Sequence, residues 1–178
     1  MHKQKPKDLY AGVIDERDDG IIIRGAQMLG TGTVLSDYLN LSQITPIKPG
    51  DEAHAVNLVV PCNAPGLKIY SRRSYASAAN SNFDYPLATR FDETDSLVVF
   101  DDVFVPWEHV FVYKNLEICN DQWWKTPAHA MGNHQSQIRL VTKLRLMMGL
   151  DRRVEIMNGV DNIREVQTLL GDMRSYAA

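Results

Sequence analysis

The spacing of the apolar residues changes near residue 124, and this change restricts the fold more than any other feature of the sequence. Before it, short segments rich in Val, Ile, Thr, Tyr and Phe alternate with turn residues, a pattern typical of β-strands. After it, apolar residues recur at intervals of three and four, which is typical of amphipathic helices. The sequence therefore predicts an α+β chain in which a β domain precedes helices.

The strand-like segments define the boundaries of the β domain. Four of them follow turn residues directly: "GIIIRGAQML", "HAVNLVVPC", "LKIYSRRSY" and "SLVVFDDVFV". We assign residues 1–9 to an N-terminal arm, residues 10–112 to the β domain and residues 113–178 to the start of a helical domain. The lysine-rich arm is expected to need a neighbour to order it.

Two amphipathic helices are predicted in the second half. The first covers about residues 128–157 and ends at Gly159, and a capping box of Asn162 and Glu165 begins the second. The two apolar stripes are formed by Ile138, Val141, Leu144, Met148, Val154 and Met157, and by Ile163, Val166, Leu169, Leu170 and Met173. Because two such helices on a β domain seldom close a core, we expect either an oligomer or a truncated chain.

Composition argues against several classes of function. The formal net charge of -3 and the 23% of charged residues give no electrostatic basis for binding nucleic acid or an anionic membrane. No apolar run reaches the roughly 20 residues of a membrane span, and the first residues lack the apolar core of a signal peptide. Cys62 and Cys119 lie far apart in sequence and are expected to be plain thiols. These features predict a cytoplasmic protein.

The stretch "VVFDDVFVPWEHVF" combines strand residues with acids, a proline and a tryptophan. We interpret it as a strand, a tight turn on Asp101 and Asp102, and a second short strand. Pro106 is expected to end the pairing, and Trp107 to pack where the sheet meets the helices. A less favoured alternative is an acid/base or metal cluster of Asp101, Asp102 and Glu108.

Two other short motifs allow functional and structural interpretations. The "GTGT" at Gly30 to Thr33, taken alone, favours a strand end followed by a glycine-rich turn. His129 and His134 are five residues apart rather than four, so they do not align on one helix face as a metal pair would. The sequence therefore predicts no metal site here.

Three stretches of the chain resemble the 4-hydroxyphenylacetate 3-monooxygenase family: "GIIIRGAQMLGTGTVLSDY", "YPLATRFDETDSLVVFDDVFVPWEHVF" and "HQSQIRLVTKL". The part from "DYPL" to "VPWEHVF" is the most specific, because Trp107 and Glu108 match the family's "PWE". The resemblance implies an acyl-CoA dehydrogenase-like fold. In it, this chain supplies the middle domain, a β-barrel or two-sheet structure, and the first helices of the C-terminal bundle.

The resemblance also implies an activity. Family members are oxygenase components of two-component phenol hydroxylases, which use FADH2 and O2 to add one oxygen atom to a phenolic substrate. A separate NAD(P)H-flavin reductase supplies the FADH2, and the usual assembly is a homotetramer. The Arg, Tyr and His that handle the phenol in the family belong to segments outside this chain. We therefore assign no catalytic residue, and we expect these 178 residues alone to be inactive.

Cofactor-binding residues follow from the same resemblance. Thr31 aligns with the family's middle-domain threonine at the edge of the flavin ring, where a hydroxyl can donate or accept a hydrogen bond. Gly30 and Gly32 would let the backbone approach a flat ring. Gln135, next to His134, matches a position at the start of the first bundle helix, where contact with the flavin pocket or a neighbouring subunit is implied.

Substrate-binding residues are implied by position. Ser42 and Gln43 fall where family members place a substrate-contacting serine on the next strand. A half-buried strand serine without that contact is the structural alternative.

Two other functions remain open at this level. One is a 4-hydroxybutyryl-CoA dehydratase-like flavoprotein lyase on the same fold, whose iron–sulfur cluster needs cysteine thiolates. The absence of any cysteine after Cys119 argues against it. The other is a non-catalytic structural or interaction fragment.

Overall fold

The computed structural model describes Lys3 and residues 8–91 and 94–177. Most of the proposed arm and two residues of the turn before "SLVVFDDVFV" lie outside the described residues. The chain forms two compact units, residues 1–122 and residues 123–178. The first is the β unit and the second is helical, as the change in apolar spacing predicts.

The β unit contains two antiparallel sheets. The four-stranded sheet has the order β1-β2-β6-β5 and the three-stranded sheet the order β3-β4-β7. The strands are β1 (Gly12–Arg17), β2 (Gly20–Gln27), β3 (Tyr38–Ser42), β4 (Val56–Pro61), β5 (Leu67–Ser71), β6 (Ser96–Pro106) and β7 (Val110–Tyr113). The predicted two-sheet domain is thus confirmed, and the described strands do not close into a barrel.

The core lies between the inward faces of these strands. In β4 and in most of β6, every second residue points inward, so a buried residue is followed by a more exposed one. The largest fully buried side chains are Phe100, Ile21, Ile23, Leu41, Leu58, Val56, Val60, Val98, Val103 and Val105. Strand β6 contributes four of them, and it also pairs with both β2 and β5. It is therefore the central element of the unit.

The predicted tight turn on Asp101 and Asp102 is wrong, because β6 runs unbroken from Ser96 to Pro106. The two acids form a bulge instead, in which Asp102 has a φ of 56° and the register with β2 shifts. Arg24 donates two hydrogen bonds to Asp102, at 2.6 and 2.7 Å, and Lys68 donates one to Asp101 at 2.7 Å. Each acid thus has its own cation on a neighbouring strand.

The Arg24–Asp102 pair should give the β unit a pH-dependent stability. The guanidinium hydrogen bonds lower the pKa of Asp102 below the usual value of 3.8. The stabilisation is present above that value and is lost as the pH falls through the lower folded-state pKa. We expect urea midpoints to fall less for Asp102→Asn than for the unchanged protein between about pH 5 and about pH 2.5. Arg24→Gln should give the same result, and an undiminished fall in both variants would contradict this.

The prediction that pairing ends at Pro106 is confirmed, but Trp107 packs among strands and not where a sheet meets the helices. Strand β6 ends at Pro106, and the Trp107 ring packs on the core. Its Nε1–H donates to the Arg17 carbonyl at 3.1 Å, and its edge meets the Tyr113 ring at 5.0 Å between centroids. The indole therefore connects the ends of β1, β6 and β7.

Three α-helices follow: α1 (Leu116–Lys125), α2 (Ala128–Asn158) and α3 (Arg164–Tyr176). Helix α1 was not predicted from the sequence; it is short and buries only Cys119. The boundary between the two units falls inside α1. Among the described residues, no helix combines the length and the apolar character needed to cross a membrane.

The contact between α2 and α3 follows part of the predicted stripes. The half-buried or buried positions are Val141, Leu144, Met148, Asp151 and Glu155 on α2, and Val166, Leu170 and Met173 on α3. Five members of the predicted stripes are exposed instead: Ile138, Val154, Met157, Ile163 and Leu169. Asp151 lies three residues after Met148, and Glu155 lies four residues after Asp151, so both are on the same helix face as Met148. They are buried or half-buried because of this position, although they are acidic.

The predicted end of α2 is confirmed, but the predicted start of α3 is not. Gly159, with a φ of 68°, caps α2 by donating to the carbonyls of Glu155 and Ile156, as expected. The capping box is wrong, since Ile163 is the N-cap of α3 and no side chain caps it. Asn162 therefore lies one position too early to bond the first turn.

Both cysteines are free thiols. Cys119 lies in a small second core with Ile47, Ala55 and Val112. Burial raises the pKa of each thiol, and the nearby Asp37 carboxylate adds to the effect at Cys62. Both groups are thus kept in the less reactive protonated form.

Candidate functional site

The loop after β2 brings Gly30, Thr31 and Gly32 alongside the start of β6. The Gly30 N–H donates to the Ser96 carbonyl and the Gly32 N–H to the Thr94 carbonyl, both at 2.9 Å. These two bonds fix the backbone on either side of Thr31. The backbone of the loop is therefore held in place between the end of β2 and the start of β6.

The two glycines serve different purposes in this loop. A Cβ at Gly30 would lie 2.6 Å from Thr33 Oγ1 and 3.0 Å from Val98 Cγ2, so Gly30 is required for packing against the protein itself. Gly32 has a φ of 72° and no atom within 4 Å of an added Cβ. Gly32 is therefore the position at which a flat ligand can approach the backbone.

Polar groups surround Thr31. Its side chain is exposed, and its hydroxyl donates a short hydrogen bond to Asp95 Oδ1. The Oγ1 atom of Thr94 is buried and has no partner among the described residues. A buried hydroxyl without a partner costs free energy, so this atom suits a ligand that can bond it.

Ser42 and Gln43 lie at the end of β3, and both are half-buried. The Ser42 Oγ accepts a hydrogen bond from Gln122 Nε2 of α1 at 3.0 Å. The same Nε2 lies 3.4 Å from the Gln43 carbonyl. The sequence singled out Ser42 without its partner, because Gln122 is 80 residues away in the chain.

Gln27 links the loop of Gly30, Thr31 and Gly32 to the end of β3 at Ser42, and it was not predicted from the sequence. It is the last residue of β2, three positions before Gly30, and its Nε2 lies 3.5 Å from the Ser42 carbonyl. Its Oε1 is buried and has no partner in the described part of the chain. The signal available in the sequence was an amide at a strand end immediately before a glycine-rich loop.

Gln135 lies on α2 in the second unit and is exposed, as is His134. The neighbouring His129 is engaged within that unit, with its ring 4.2 Å from that of Trp124 and its Nε2 2.9 Å from Asn133 Nδ2. Within the described residues, no three or more His, Cys, Asp and Glu side chains are arranged to hold a metal ion. The role of Gln135 remains a prediction.

The fold belongs to the acyl-CoA dehydrogenase-like class. A crystal structure of acyl-CoA dehydrogenase from Geobacillus kaustophilus matches with a TM-score of 0.60 and 16% identity, covering 90% of this chain and 40% of that one. At this identity the likeness concerns the fold alone. It agrees with a two-sheet domain followed by the first helices of a bundle.

The chain belongs to the 4-hydroxyphenylacetate 3-hydroxylase family. Its N-terminal family model matches residues 1–112 and its C-terminal model residues 119–178. Two Pseudomonas aeruginosa proteins are each 36% identical: the pyoverdin chromophore biosynthetic protein PvcC, over 94% of this chain, and a 4-hydroxyphenylacetate 3-monooxygenase oxygenase component, over 96%. The chain spans 34% of the length of each.

A solved structure of the same family matches nearly the whole of this chain. The oxygenase component (HpaB) of 4-hydroxyphenylacetate 3-monooxygenase, complexed with FAD and 4-hydroxyphenylacetate, matches with a TM-score of 0.85 and 31% identity. The match covers 99% of this chain and 37% of that one. The resemblance noted in the sequence is thereby confirmed.

Proposed function

We propose that this chain is part of the oxygenase component of a two-component monooxygenase, which hydroxylates a phenolic substrate with FADH2 and O2. The observation that carries the proposal is the match of both family models, in order, to the two halves of the chain. A separate NAD(P)H-flavin reductase as FADH2 donor, a homotetramer and a cytoplasmic location are further parts of this proposal.

The loop after β2 fits a flavin. Gly32 leaves open space for a flat ring, the exposed Thr31 lies beside it, and the buried Thr94 Oγ1 lacks a partner among the described residues. Reduced FAD, when bound, would supply the electrons that activate O2. The chain's own contribution is to hold the edge of the ring.

Asp95 gives Thr31 a defined hydrogen-bond direction. A carboxylate can only accept, so the Thr31 proton points to Asp95 and the Thr31 oxygen can only accept from a ligand. A reduced flavin ring carries an N–H that the oxidised ring lacks. The Asp95–Thr31 pair therefore favours the reduced form of the cofactor.

The proposal is tested by anaerobic titration of reduced and of oxidised FAD. The titrations use the longest form of the protein that contains this sequence and the 178 residues alone. We expect the long form to bind reduced FAD more tightly and to hydroxylate 4-hydroxyphenylacetate with O2, and the 178 residues alone not to hydroxylate it. A long form that prefers oxidised FAD and retains it through purification would instead indicate a dehydrogenase or a dehydratase.

Asp95→Asn should reduce the preference for reduced FAD. An amide can donate to Thr31, which frees the hydroxyl proton to point at the oxidised ring. We expect the ratio of the two dissociation constants to shift by about tenfold, the effect of one hydrogen bond. Asp18→Asn, in the exposed turn between β1 and β2, is the charge-matched control. An unchanged ratio in Asp95→Asn would argue against this role for Thr31.

A further inference from the structure

One asparagine in the sequence is followed directly by a glycine, at Asn158 and Gly159. In such a pair the glycine backbone nitrogen can attack the carbonyl carbon of the asparagine side chain, because no Cβ on the following residue obstructs the approach. A C–N bond forms, ammonia leaves, and water opens the resulting succinimide ring to aspartate or isoaspartate. Water is the only co-reactant, so the chain itself supplies the other reacting groups.

The structure places this pair at the end of α2, where it is open to solvent. Asn158 is the last residue of the helix, and both residues are exposed. A Cβ added at Gly159 would have no atom within 4 Å. The described residues therefore obstruct neither the closure of the ring nor the entry of water.

Two backbone hydrogen bonds, which we call the α2 cap, hold the attacking nitrogen back. The Gly159 N–H donates to the Ile156 carbonyl at 3.1 Å, and the Val160 N–H donates to the Glu155 carbonyl at 3.0 Å. The attack requires the Gly159 nitrogen to lose its proton, which a hydrogen bond opposes. It also requires Asn158 to leave the helical conformation, with its ψ of about −40°. Both requirements are met only when the last turn of α2 opens, which helix ends do at a low cost in free energy.

The products of this reaction would disturb the connection between α2 and α3. Arg152 already serves two acids there, with Nη1 3.4 Å from Glu155 Oε2 and Nη2 3.3 Å from Asp161 Oδ2. Deamidation adds a third carboxylate at the C-terminus of a helix, where the helix dipole disfavours negative charge. Isoaspartate also adds a methylene group to the backbone, so the Gly159 N–H no longer aligns with its acceptors.

We propose that Asn158 is a site of spontaneous deamidation, that opening of the α2 cap controls its rate, and that its products loosen the α2–α3 connection. This inference does not depend on the proposed function. It gives the connection a limited chemical lifetime, which the folded state extends because the cap must open before the reaction can begin.

The test follows Asn158 in the longest form of the protein at mildly alkaline pH, both folded and denatured in guanidinium chloride. Peptide mass spectrometry quantifies asparagine, aspartate and isoaspartate at this position. We expect conversion in the folded protein to be about tenfold slower than in the denatured chain, the effect of opening the cap. Asn162 is the internal control, because it is exposed in the same connection but is followed by isoleucine. It should convert far more slowly than Asn158 in both states.

Two variants open the cap while leaving the reacting pair unchanged. Val160→Pro removes the hydrogen bond to the Glu155 carbonyl, and its folded-state rate should come within about threefold of the denatured rate. Arg152→Gln is a milder change that removes the bridges to Glu155 and Asp161, and it should raise the folded-state rate by about twofold. The denatured rate should stay the same in both variants. Circular dichroism checks that each variant keeps its helices.

Asn158→Asp reproduces one product and measures its effect on the connection. Hydrogen exchange of peptides at the end of α2 should be about threefold faster in this variant. Gln137→Glu, which adds the same charge to the exposed middle of α2, should leave that exchange unchanged. Equal exchange in the two variants would contradict the loosening of the connection.

Three results for the reaction itself would overturn the inference. The first is an Asn158 that stays intact in the folded protein while the denatured chain converts fully. The second is an equal rate in the folded and denatured states. The third is an unaltered folded-state rate in both Val160→Pro and Arg152→Gln.

Discussion

Replacing Phe100 with alanine is expected to lower the free energy of unfolding of the β unit by about 3–5 kcal/mol. Phe100 is 1% exposed and lies on β6, the strand that pairs with both β2 and β5. Removing its ring leaves a cavity between the sheets that surrounding side chains fill only in part. The loss is a large fraction of the stability of a domain of this size.

Hydrogen exchange measured by mass spectrometry reports on this change separately for each unit. Peptides from β2 and β6 should exchange faster in Phe100→Ala, whereas peptides from α3 serve as an internal reference. Phe111→Ala is the matched control, because Phe111 is also in a strand but is 63% exposed. Its effect should stay below about 1 kcal/mol. Equal effects of the two substitutions would show that the ring of Phe100 is not a core element.

Gly25→Ala is expected to destabilise the same unit by about 3 kcal/mol. Gly25 has a φ of 114°, and an added Cβ would lie 2.3 Å from the Tyr10 carbonyl oxygen and 2.4 Å from its carbon. The obstacle is backbone, so it cannot rotate away. The segment at Tyr10, which bridges to Ala26, must therefore move or detach.

Gly25→Ala combines the strain of a positive φ with a steric clash, whereas Gly32→Ala introduces the strain alone. Gly32 also has a positive φ, of 72°, but an added Cβ meets no atom within 4 Å. We expect it to cost about 1 kcal/mol, which is the conformational strain without the clash. Urea unfolding followed by far-ultraviolet circular dichroism measures both variants. Similar midpoints would mean that the clash with Tyr10 is relieved at little cost.

The candidate site was predictable only in part. The "GTGT" loop is marked by its glycines, and Ser42 by its place at the end of a strand, so both could be named from local sequence and family resemblance. Gln27, Asp95 and Gln122 could not, because their significance lies in the partners that they meet. Thr31 and Asp95 are 64 residues apart, and Gln122 and Ser42 are 80 apart.

The sequence by itself determined the kind and the approximate bounds of β2, β4, β5, β6, α2 and α3, but not of α1. Periods of two and of three to four are local properties, and Gly159 and Pro106 act on the chain at their own positions. Tertiary structure alone decided that Asp101 and Asp102 form a bulge and not a turn. The reason is that β2 pairs with both halves of β6 and Arg24 bonds Asp102 from that strand. It also decided that Gln122 donates a hydrogen bond to Ser42, because the fold brings together two residues that lie 80 positions apart in the chain.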